Sequence, residues 1–385
     1  MNLSAHIAET PVTEKQASGR SATRAKRRRI MMIAPHFEEY ALHMCMALAE
    51  DADVLLALNL GRLRKDYEGR PFPATPGITF HDTRFESPLD GLRLFKSVLA
   101  FRPETIHLQE ASGLRKALTC AALVALARPF CRIALTVHDP SPHEGRDAVI
   151  AQRLDRYRRF VRRAAQVVFV HGDYCRKRYL DVRENQSQSV VVIDHGEILG
   201  ERPTDLPDPH ARPLAIFGFG RMEAYKGLHI FLDALKLLHA RGVVPTVVLA
   251  GSGPEMDRLE GEFAAMPGVT VDNAFITSER LIDEMAATDL VVMPYLTATQ
   301  SGVLAATLAN RRFVVASGVG GIPDIVADGH NGLLVPPGDP AALADALERV
   351  ARDPALRQRL SDGAAQTASE RLAWSQIVPK MLAQY

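Results

Sequence analysis

Little in this sequence would staple, anchor or export the chain. Its 385 residues include four cysteines, Cys45, Cys120, Cys131 and Cys175, with no C-x-x-C pair and no metal-ligand spacing. That excludes a disulfide framework and a zinc ribbon, and free thiols in a reducing compartment are expected. No run approaches the roughly 20 apolar residues that span a bilayer. The best one, ALTCAALVALARPF, is broken by Arg128 and Pro129 and reads as a buried helix. Residues 1–29 are polar and end in RAKRRR, with no apolar stretch after a short basic one, so they do not read as a secretory signal. They read as a disordered tail whose basic end lies against the first strand, where it either touches lipid headgroups or merely solubilises.

An excess of one charge sign is also missing, with 46 Lys and Arg against 45 Asp and Glu. The basic surplus falls in the first half and the acidic surplus in the second. The first half therefore favours an anionic partner, such as a lipid surface or a phosphorylated acceptor. No nucleic-acid motif accompanies the charge, so nucleic acid is not expected as a partner. One absence is local: from Tyr295 to Val315 there is no carboxylate.

What is present is alternation. Short β-branched runs (RIMMIAP, DVLLALNL, TIHLQE, RIALTVHD, QVVFVHG, SVVVIDHG) are followed by helical patterns, and the second half repeats the scheme with LAIFGFGR, TVVLAGSGP, DLVVMPY, RFVVASG and GLLVPPGD. Such alternation predicts α/β architecture with parallel sheets covered on both faces. Leu228, Phe231, Leu232, Leu235 and Leu238 fall on one face of the helix expected after Gly227. The stretch around 196–213 carries four prolines and no helical period, and is the best linker. The expected organisation is a basic tail (1–29), a first Rossmann-like domain (30–200), a linker (201–213), a second such domain (214–368) and a closing helix (369–385). Ligands of open α/β sheets bind at strand C-terminal ends, so a cleft between the two domains is the expected site.

Three stretches there carry chemistry. In FGFGRMEAYKG a strand ends in a glycine turn at Gly220, and Arg221 and Lys226 lie five apart, placed to neutralise a diphosphate as a fork and a point charge. A dinucleotide fingerprint fails here because Glu223 occupies the third glycine position; an oxidoreductase reading is discounted with it. In LAGSGPEMDRLE, Gly251 and Gly253 form a second close-approach turn before a helix. In ATQSGVLAATLA, Ser301, Gly302 and Val303 head an apolar helix whose free N–H groups suit a phosphate oxygen; Ser301 is equally a plain N-cap. Downstream, GVGGIPDIV supplies Gly320, Gly321 and Asp324, the last to orient the loop or contact a sugar.

Taken in order, Arg221, Lys226, Gly227, Gly251, Gly253, Pro254, Pro294, Gly320 and Gly321 resemble the nucleotide domain of family 4 glycosyltransferases with the GT-B fold. The RLAWSQIVPKMLAQY end is similar to the family's closing helix, which crosses back to the first domain. The resemblance implies a nucleoside diphosphate sugar donor, a retaining mechanism and no metal or other cofactor, with the Arg221 and Lys226 pair as the counter-charge. It departs in one place. The family's two glutamates, for donor sugar and ribose, fall here on Ala298 and Ala306, or on Thr299 and Thr307. The ATQSGV form resembles a variant sub-pattern, and implies a donor pocket rebuilt from Thr299, Gln300 and Ser301.

The first domain is then expected to hold the acceptor, a glycan or lipid-linked glycan. Pro35, His36, Glu38, Glu39 and Tyr40 follow the first strand at the cleft mouth, without the family's Gly-Gly loop, and His36 and Glu39 are the acceptor candidates there. His138 ends a central strand and, by resemblance, reaches the reacting centre as a hydrogen-bond donor; His143 lies further along the acceptor path. His107, His171 and His195 end other strands and read as structural. RLDRYRRFVRRAAQ is arginine-dense (153, 156, 158, 159, 162 and 163) and suits either a solvated face or docking on anionic lipid at a cytoplasmic membrane face. The expectation is a glycosyltransferase of cell-surface polysaccharide assembly. The alternative is a degenerate GT-B protein that binds nucleotide or glycan and partners an active enzyme.

Overall fold

The computed structural model describes residues 27–67, 71–140, 156–183, 185–198 and 212–385. The first sheet contains β1 (Arg28–Ala34), β2 (Ala52–Leu58), β3 (Ile78–Asp82), β4 (Thr105–Gln109), β5 (Arg132–Val137), β6 (Val167–His171) and β7 (Ser189–Ile193). They are ordered β3-β2-β1-β4-β5-β6-β7 and all pair in parallel. Successive side chains of a strand point to opposite faces. Thus Met31 and Ile33 of β1 enter one apolar core while Ile30, Met32 and Ala34 enter the other. Both faces are covered, so β4 and β6 are buried along their whole length; β6 (VVFVH) runs nearly apolar, whereas β4 (TIHLQ) still alternates and its polar side chains find partners inside, as His107 does on Thr136. Helices α1 (Glu38–Leu48), α2 (Leu60–Asp66), α3 (Pro88–Phe101), α4 (Leu114–Ala127), α5 (156–164) and α6 (Gly172–Val182) provide the cover.

The second sheet contains β8 (Ala215–Phe219), β9 (Thr246–Ala250), β10 (Val269–Asp272), β11 (Leu290–Met293), β12 (Phe313–Ser317) and β13 (Gly332–Val335), ordered β10-β9-β8-β11-β12-β13 and again parallel. A 3-10 turn (Ala224–Lys226) leads into α7 (Leu228–Ala240); α8 (Pro254–Ala264), α9 (Ser278–Ala287), α10 (Gly302–Ala309), α11 (Ile322–Ile325), α12 (Pro340–Arg352) and α13 (Pro354–Thr367) follow. All five apolar residues of the α7 stripe are buried. Strand order reverses direction beside β1 and beside β8, so each sheet opens a crevice at its C-terminal edge there.

The chain ends inside the first domain. A π-helical turn (Ala368–Leu372) leads to α14 (Trp374–Leu382), which packs on α1. Trp374 is buried against Tyr40, and its indole N–H donates to the Glu197 carbonyl at 2.9 Å. A Cβ on Gly196 would stand 2.3 Å from the indole ring, so only glycine admits it. Tyr385 meets His107, and Arg28 donates to the carbonyls of Leu382 and Tyr385.

Two sequence expectations are corrected here. Strand β1 starts at Arg28, inside the segment read as tail, and Arg27 donates to the carbonyls of Ala49 (2.5 Å) and Ala52 (2.7 Å) while pairing with Asp53 at 3.2 Å. The end of RAKRRR is thus bound by the fold rather than offered to lipid. The arginine-dense helix is likewise only partly a surface. Arg162 grips buried Glu110 with Nε (2.6 Å) and Nη2 (2.9 Å), and Arg158 adds a third bond at 2.6 Å. Burial pushes the Glu110 carboxyl up, yet the two guanidiniums outweigh it and hold it below its ordinary range. The tail up to residue 26, Arg153, His143 and most of the linker lie outside the described residues.

Candidate active site

The site is built on the C-terminal edges of both sheets. Strand β8 delivers Phe219 and Gly220 to the cleft, and the 3-10 turn folds Lys226 back over them. Lys226 is buried; its Nζ donates to the Phe219 carbonyl at 3.1 Å and lies 5.4 Å from the Tyr295 ring centre. Burial first, and then the neighbouring Arg221, lower its pKa to about 8, with Glu223 opposing. Arg221 itself is exposed. The structure therefore brings the two cations together, one buried in the floor and one exposed beside it.

The glycine turns have a second use that the sequence did not reveal. A Cβ on Gly251, at φ +137°, would come within 2.1 Å of the Gly220 carbonyl oxygen. One on Gly253 would come within 2.6 Å of the Met222 oxygen. Gly320, at φ +57°, leaves 1.7 Å to the Ala298 oxygen, and Gly321 leaves 2.3 Å to that of Thr299. In each case what approaches closely is another loop of the same domain. These glycines lock the loops at the sheet edge into one backbone-to-backbone unit.

Helix α10 starts at Gly302 with Ser301 as its N-cap, whose oxygen accepts from the Leu304 N–H at 3.2 Å. The first N–H groups of the helix, at Gly302 and Val303, have no intrahelical partner by geometry. The positions where glutamates were absent are apolar or satisfied. Ala298 and Ala306 are buried, and the buried Thr307 hydroxyl donates to the Val303 carbonyl at 2.7 Å. Thr299 reaches across the cleft and donates to Asp139 of the first domain. Gln300 lines the crevice beside Ser301, and its buried Oε1 lacks a partner.

Asp324 has a contact unforeseen from sequence. Its Oδ2 accepts the Tyr174 N–H at 2.8 Å, at the first turn of α6 in the opposite domain. Gly172 lies so near that a Cβ there would meet this oxygen at 2.6 Å. A carboxylate at a helix N-terminus is favourable. In this arrangement Asp324 ties the two domains together rather than standing free beside a sugar. Arg371 adds a further tie, bonding Asp194 at 2.6 Å and the Asp324 carbonyl at 3.0 Å.

On the first domain, His138 is buried and its Nε2 lies 2.9 Å from the Gln109 amide oxygen. The Gln109 amide nitrogen faces the Met32 and Met44 sulfurs. A carbonyl oxygen only accepts, so Nε2 carries the proton and Nδ1 is a bare lone pair with no partner. Burial and the neighbouring histidines hold the ring well below its ordinary pKa. The expectation that His138 donates to sugar or phosphate oxygens is thus reversed: the neutral ring offers an acceptor. Phe37, a non-glycine residue at φ 58°, covers the ring at 4.1 Å between centres and is 43% exposed. Left-handed backbone at a bulky residue costs about 1–2 kcal/mol and is rarely kept without use.

His36 is turned onto its own domain. Nε2 meets the Ser112 carbonyl, and Lys116 donates to Nδ1 at 3.4 Å. Burial first lowers its pKa to about 4. Glu39 lies 3.8 Å from His43. Glu38 and Tyr40, expected at the cleft mouth, are buried, Tyr40 against His138, His171, His195 and Trp374. His107 is held on both nitrogens, by Tyr385 and by Thr136 at 2.7 Å, and is structural. Among the described residues no cluster of His, Cys, Asp or Glu would hold a metal.

This architecture, two Rossmann-like parallel sheets of seven and six strands facing one cleft, is the GT-B fold. Residues 213–353 match the family of glycosyl transferases group 1. The sequence is 32% identical to an alpha-D-kanosaminyltransferase of Streptomyces kanamyceticus over 40% of each chain. It is 36% identical to a D-inositol 3-phosphate glycosyltransferase of Streptomyces bingchenggensis over 40% of this chain and 36% of that one. The chain thus spans about two-fifths of the curated relatives it matches. Among solved structures, sucrose-phosphate synthase of Thermosynechococcus elongatus superposes with a TM-score of 0.72 at 21% identity, covering 93% of this chain and 98% of that one. Anabaena HepE, solved in complex with UDP-glucose, gives 0.68 at 19%, covering 93% and 100%. Among the described residues no helix is long and apolar enough to cross a membrane.

Proposed function

We propose that this chain is a retaining, hexosyltransferase-like glycosyltransferase that moves a sugar from a nucleoside diphosphate sugar to a glycan or lipid-linked acceptor, in cell-surface polysaccharide assembly. The observation that carries the reading is the pairing of buried Lys226 with exposed Arg221 at the C-terminal end of β8. A cation held in a desolvated floor suits charge that grows on a departing diphosphate. The sugar C1–phosphate oxygen bond breaks with its electrons going to the nucleoside diphosphate. The bond from C1 to the acceptor oxygen forms, and the acceptor proton passes to the leaving phosphate. Arg221 and Lys226 supply the counter-charge, so the proposal invokes no metal and no cofactor.

The donor reading is supported by structural neighbours solved with UDP-glucose and, for Arabidopsis thaliana starch synthase IV, with ADP and acarbose. A lipid-linked acceptor fits the open hollow formed by Leu60, Arg64, Tyr67, Phe72 and Phe80 beside β2 and β3. Peripheral contact with a cytoplasmic membrane face would rest on basic residues other than Arg27, Arg28, Arg158 and Arg162. The buried alanines at the missing glutamate positions favour a second reading, a non-catalytic partner of an active transferase. Slow release of nucleoside diphosphate from UDP-, ADP- or GDP-sugars by purified protein separates the two. Release that disappears in Arg221→Ala/Lys226→Ala supports the enzyme. Tight nucleotide binding with no release from any donor, with or without glycan acceptors, overturns it.

A further inference from the structure

The outer face of α3 and α4 is apolar where a helix facing water would be polar. Of the twelve large apolar side chains exposed among the described residues, six stand on α3, on α4 or in the turn after it: Leu89, Leu92, Leu99, Leu114, Leu126 and Phe130. Single exposed apolar residues are ordinary, but half of the total on one helix pair is a patch. The two helices pack tightly at Gly91, where a Cβ would stand 3.1 Å from the Thr119 carbonyl and 3.4 Å from the Ala122 Cβ. Along α3, Leu92, Phe95 and Leu99 follow the three- and four-residue spacing of one face. Phe95 meets Phe130 at 6.2 Å between ring centres, and Phe130 is 68% exposed. Leu126 precedes it by one turn, so the apolar strip continues from α3 onto the end of α4.

Charge around the strip has one sign. No carboxylate occurs from Gly91 to Pro103 or from Ala111 to His138, while Arg93, Lys96, Arg102, Arg115, Arg128 and Arg132 are exposed there. Of the acids that border these stretches, Asp90 is paired with Arg93 at 3.2 Å and Glu104 lies beyond the end of α3. Lys96 is one turn from both Leu92 and Leu99, and Arg128 stands over Phe160 of α5 at 5.8 Å. This combination selects its partner. A second copy of the chain, docked on the same face by a two-fold axis, would set cation against cation with no carboxylate between them. An acidic protein surface would answer the cations and leave the leucines and phenylalanines against polar groups. An anionic bilayer answers both, with charge at the headgroups and hydrocarbon beneath. We propose that the α3–α4 face docks this protein on an anionic lipid bilayer, with Leu99, Leu126 and Phe130 entering the boundary between headgroups and acyl chains and Lys96 and Arg128 meeting lipid phosphates. It is not the surface that composition singled out: the basic end of the tail is bound by the fold, and Arg158 and Arg162 of α5 turn inward to Glu110. Such docking would serve the lipid-linked acceptor of the proposed function, yet it rests on this surface alone and not on the chemistry of the cleft.

The test is co-sedimentation of the full-length protein with vesicles of phosphatidylcholine alone and of phosphatidylcholine mixed equally with phosphatidylglycerol. The wild type should partition at least about tenfold more strongly onto the mixed vesicles, and raised salt should weaken that binding without abolishing it. Leu99→Ser/Phe130→Ser should lower partitioning about tenfold or more, because two apolar side chains lose their hydrocarbon contact. Lys96→Glu/Arg128→Glu should lower it by a similar factor, on the mixed vesicles only. All four positions are exposed, so melting temperatures should stay close to the wild type and certify the fold. In Phe130→Trp the new indole should shift its emission to the blue on mixed vesicles and be quenched by brominated acyl chains. The proposal falls if the wild type stays in the supernatant with both vesicles, or if Leu99→Ser/Phe130→Ser sediments like the wild type. It falls too if lipid-free sedimentation velocity shows a dimer that the same double variant disperses, which would make the face a subunit interface. Vesicle binding with no turnover of any sugar nucleotide would sink the transferase reading and leave the docking face standing.

Discussion

Lys226 offers a test in which the sign and the size follow from its surroundings. Its amine has an ordinary value of 10.5 and is lowered to about 8 by burial and by Arg221. A bound diphosphate supplies opposite charge at that spot and should return the amine to about its ordinary value. Free protein then loses the proton above pH 8 while the complex keeps it. By proton linkage, nucleoside diphosphate affinity should fall about 30-fold between pH 7 and pH 9.5, roughly 2 kcal/mol. Stability moves the other way. The folded pKa lies below the unfolded one, so the unfolded chain holds the extra proton between pH 8 and 10.5. The ligand-free protein gains stability from this group as pH rises through that window. Titration calorimetry with UDP or ADP, whichever binds, measures the first trend. Lys226→Arg, whose charge does not titrate here, should flatten it, and Lys226→Met should bind weakly at every pH. A wild-type affinity that stays level to pH 9.5, or a slope that survives in Lys226→Met, would refute the assignment.

Other outcomes follow from individual contacts. Glu110→Gln leaves the half-buried Arg158 and Arg162 without their buried carboxylate and should cost about 1–3 kcal/mol in urea unfolding; a loss below about 0.5 kcal/mol would show that the triad is solvated. Asp324→Ala removes the tie to α6, and small-angle scattering should report a larger radius of gyration for the ligand-free variant; an unchanged radius would mean that the other interdomain contacts suffice for closure. Gly320→Ala drives a Cβ into the Ala298 carbonyl and should lower the melting temperature by several degrees, whereas a silent substitution would deny the backbone interlock.

The fold was legible because its signals are redundant. Alternating apolar runs and helix periods specify parallel sheets, and the α7 stripe landed inward at every position. Of the candidate site, the sequence conveyed only local placement within one short stretch: Arg221 stands beside Lys226, and Ser301 caps α10. Contacts between residues far apart in sequence were not legible. Asp324 and Tyr174 are separated by 150 positions, and nothing local to either announces the bond. The tautomer of His138 depends on Gln109, on a different strand, so a donor was expected where an acceptor stands. The arginine-dense helix misled because composition cannot tell which arginines turn inward to a buried glutamate.

The central claim is that a pyrophosphate sits between Lys226, Arg221 and the first turn of α10. Crystals of the protein with the tightest-binding nucleoside diphosphate test it directly. The account predicts a β-phosphate oxygen about 3 Å from Lys226 Nζ, with Arg221 folded onto the phosphates and an amide of Gly302 or Val303 facing them. A nucleotide bound with its phosphates away from β8, or with both cations turned into solvent, would contradict it.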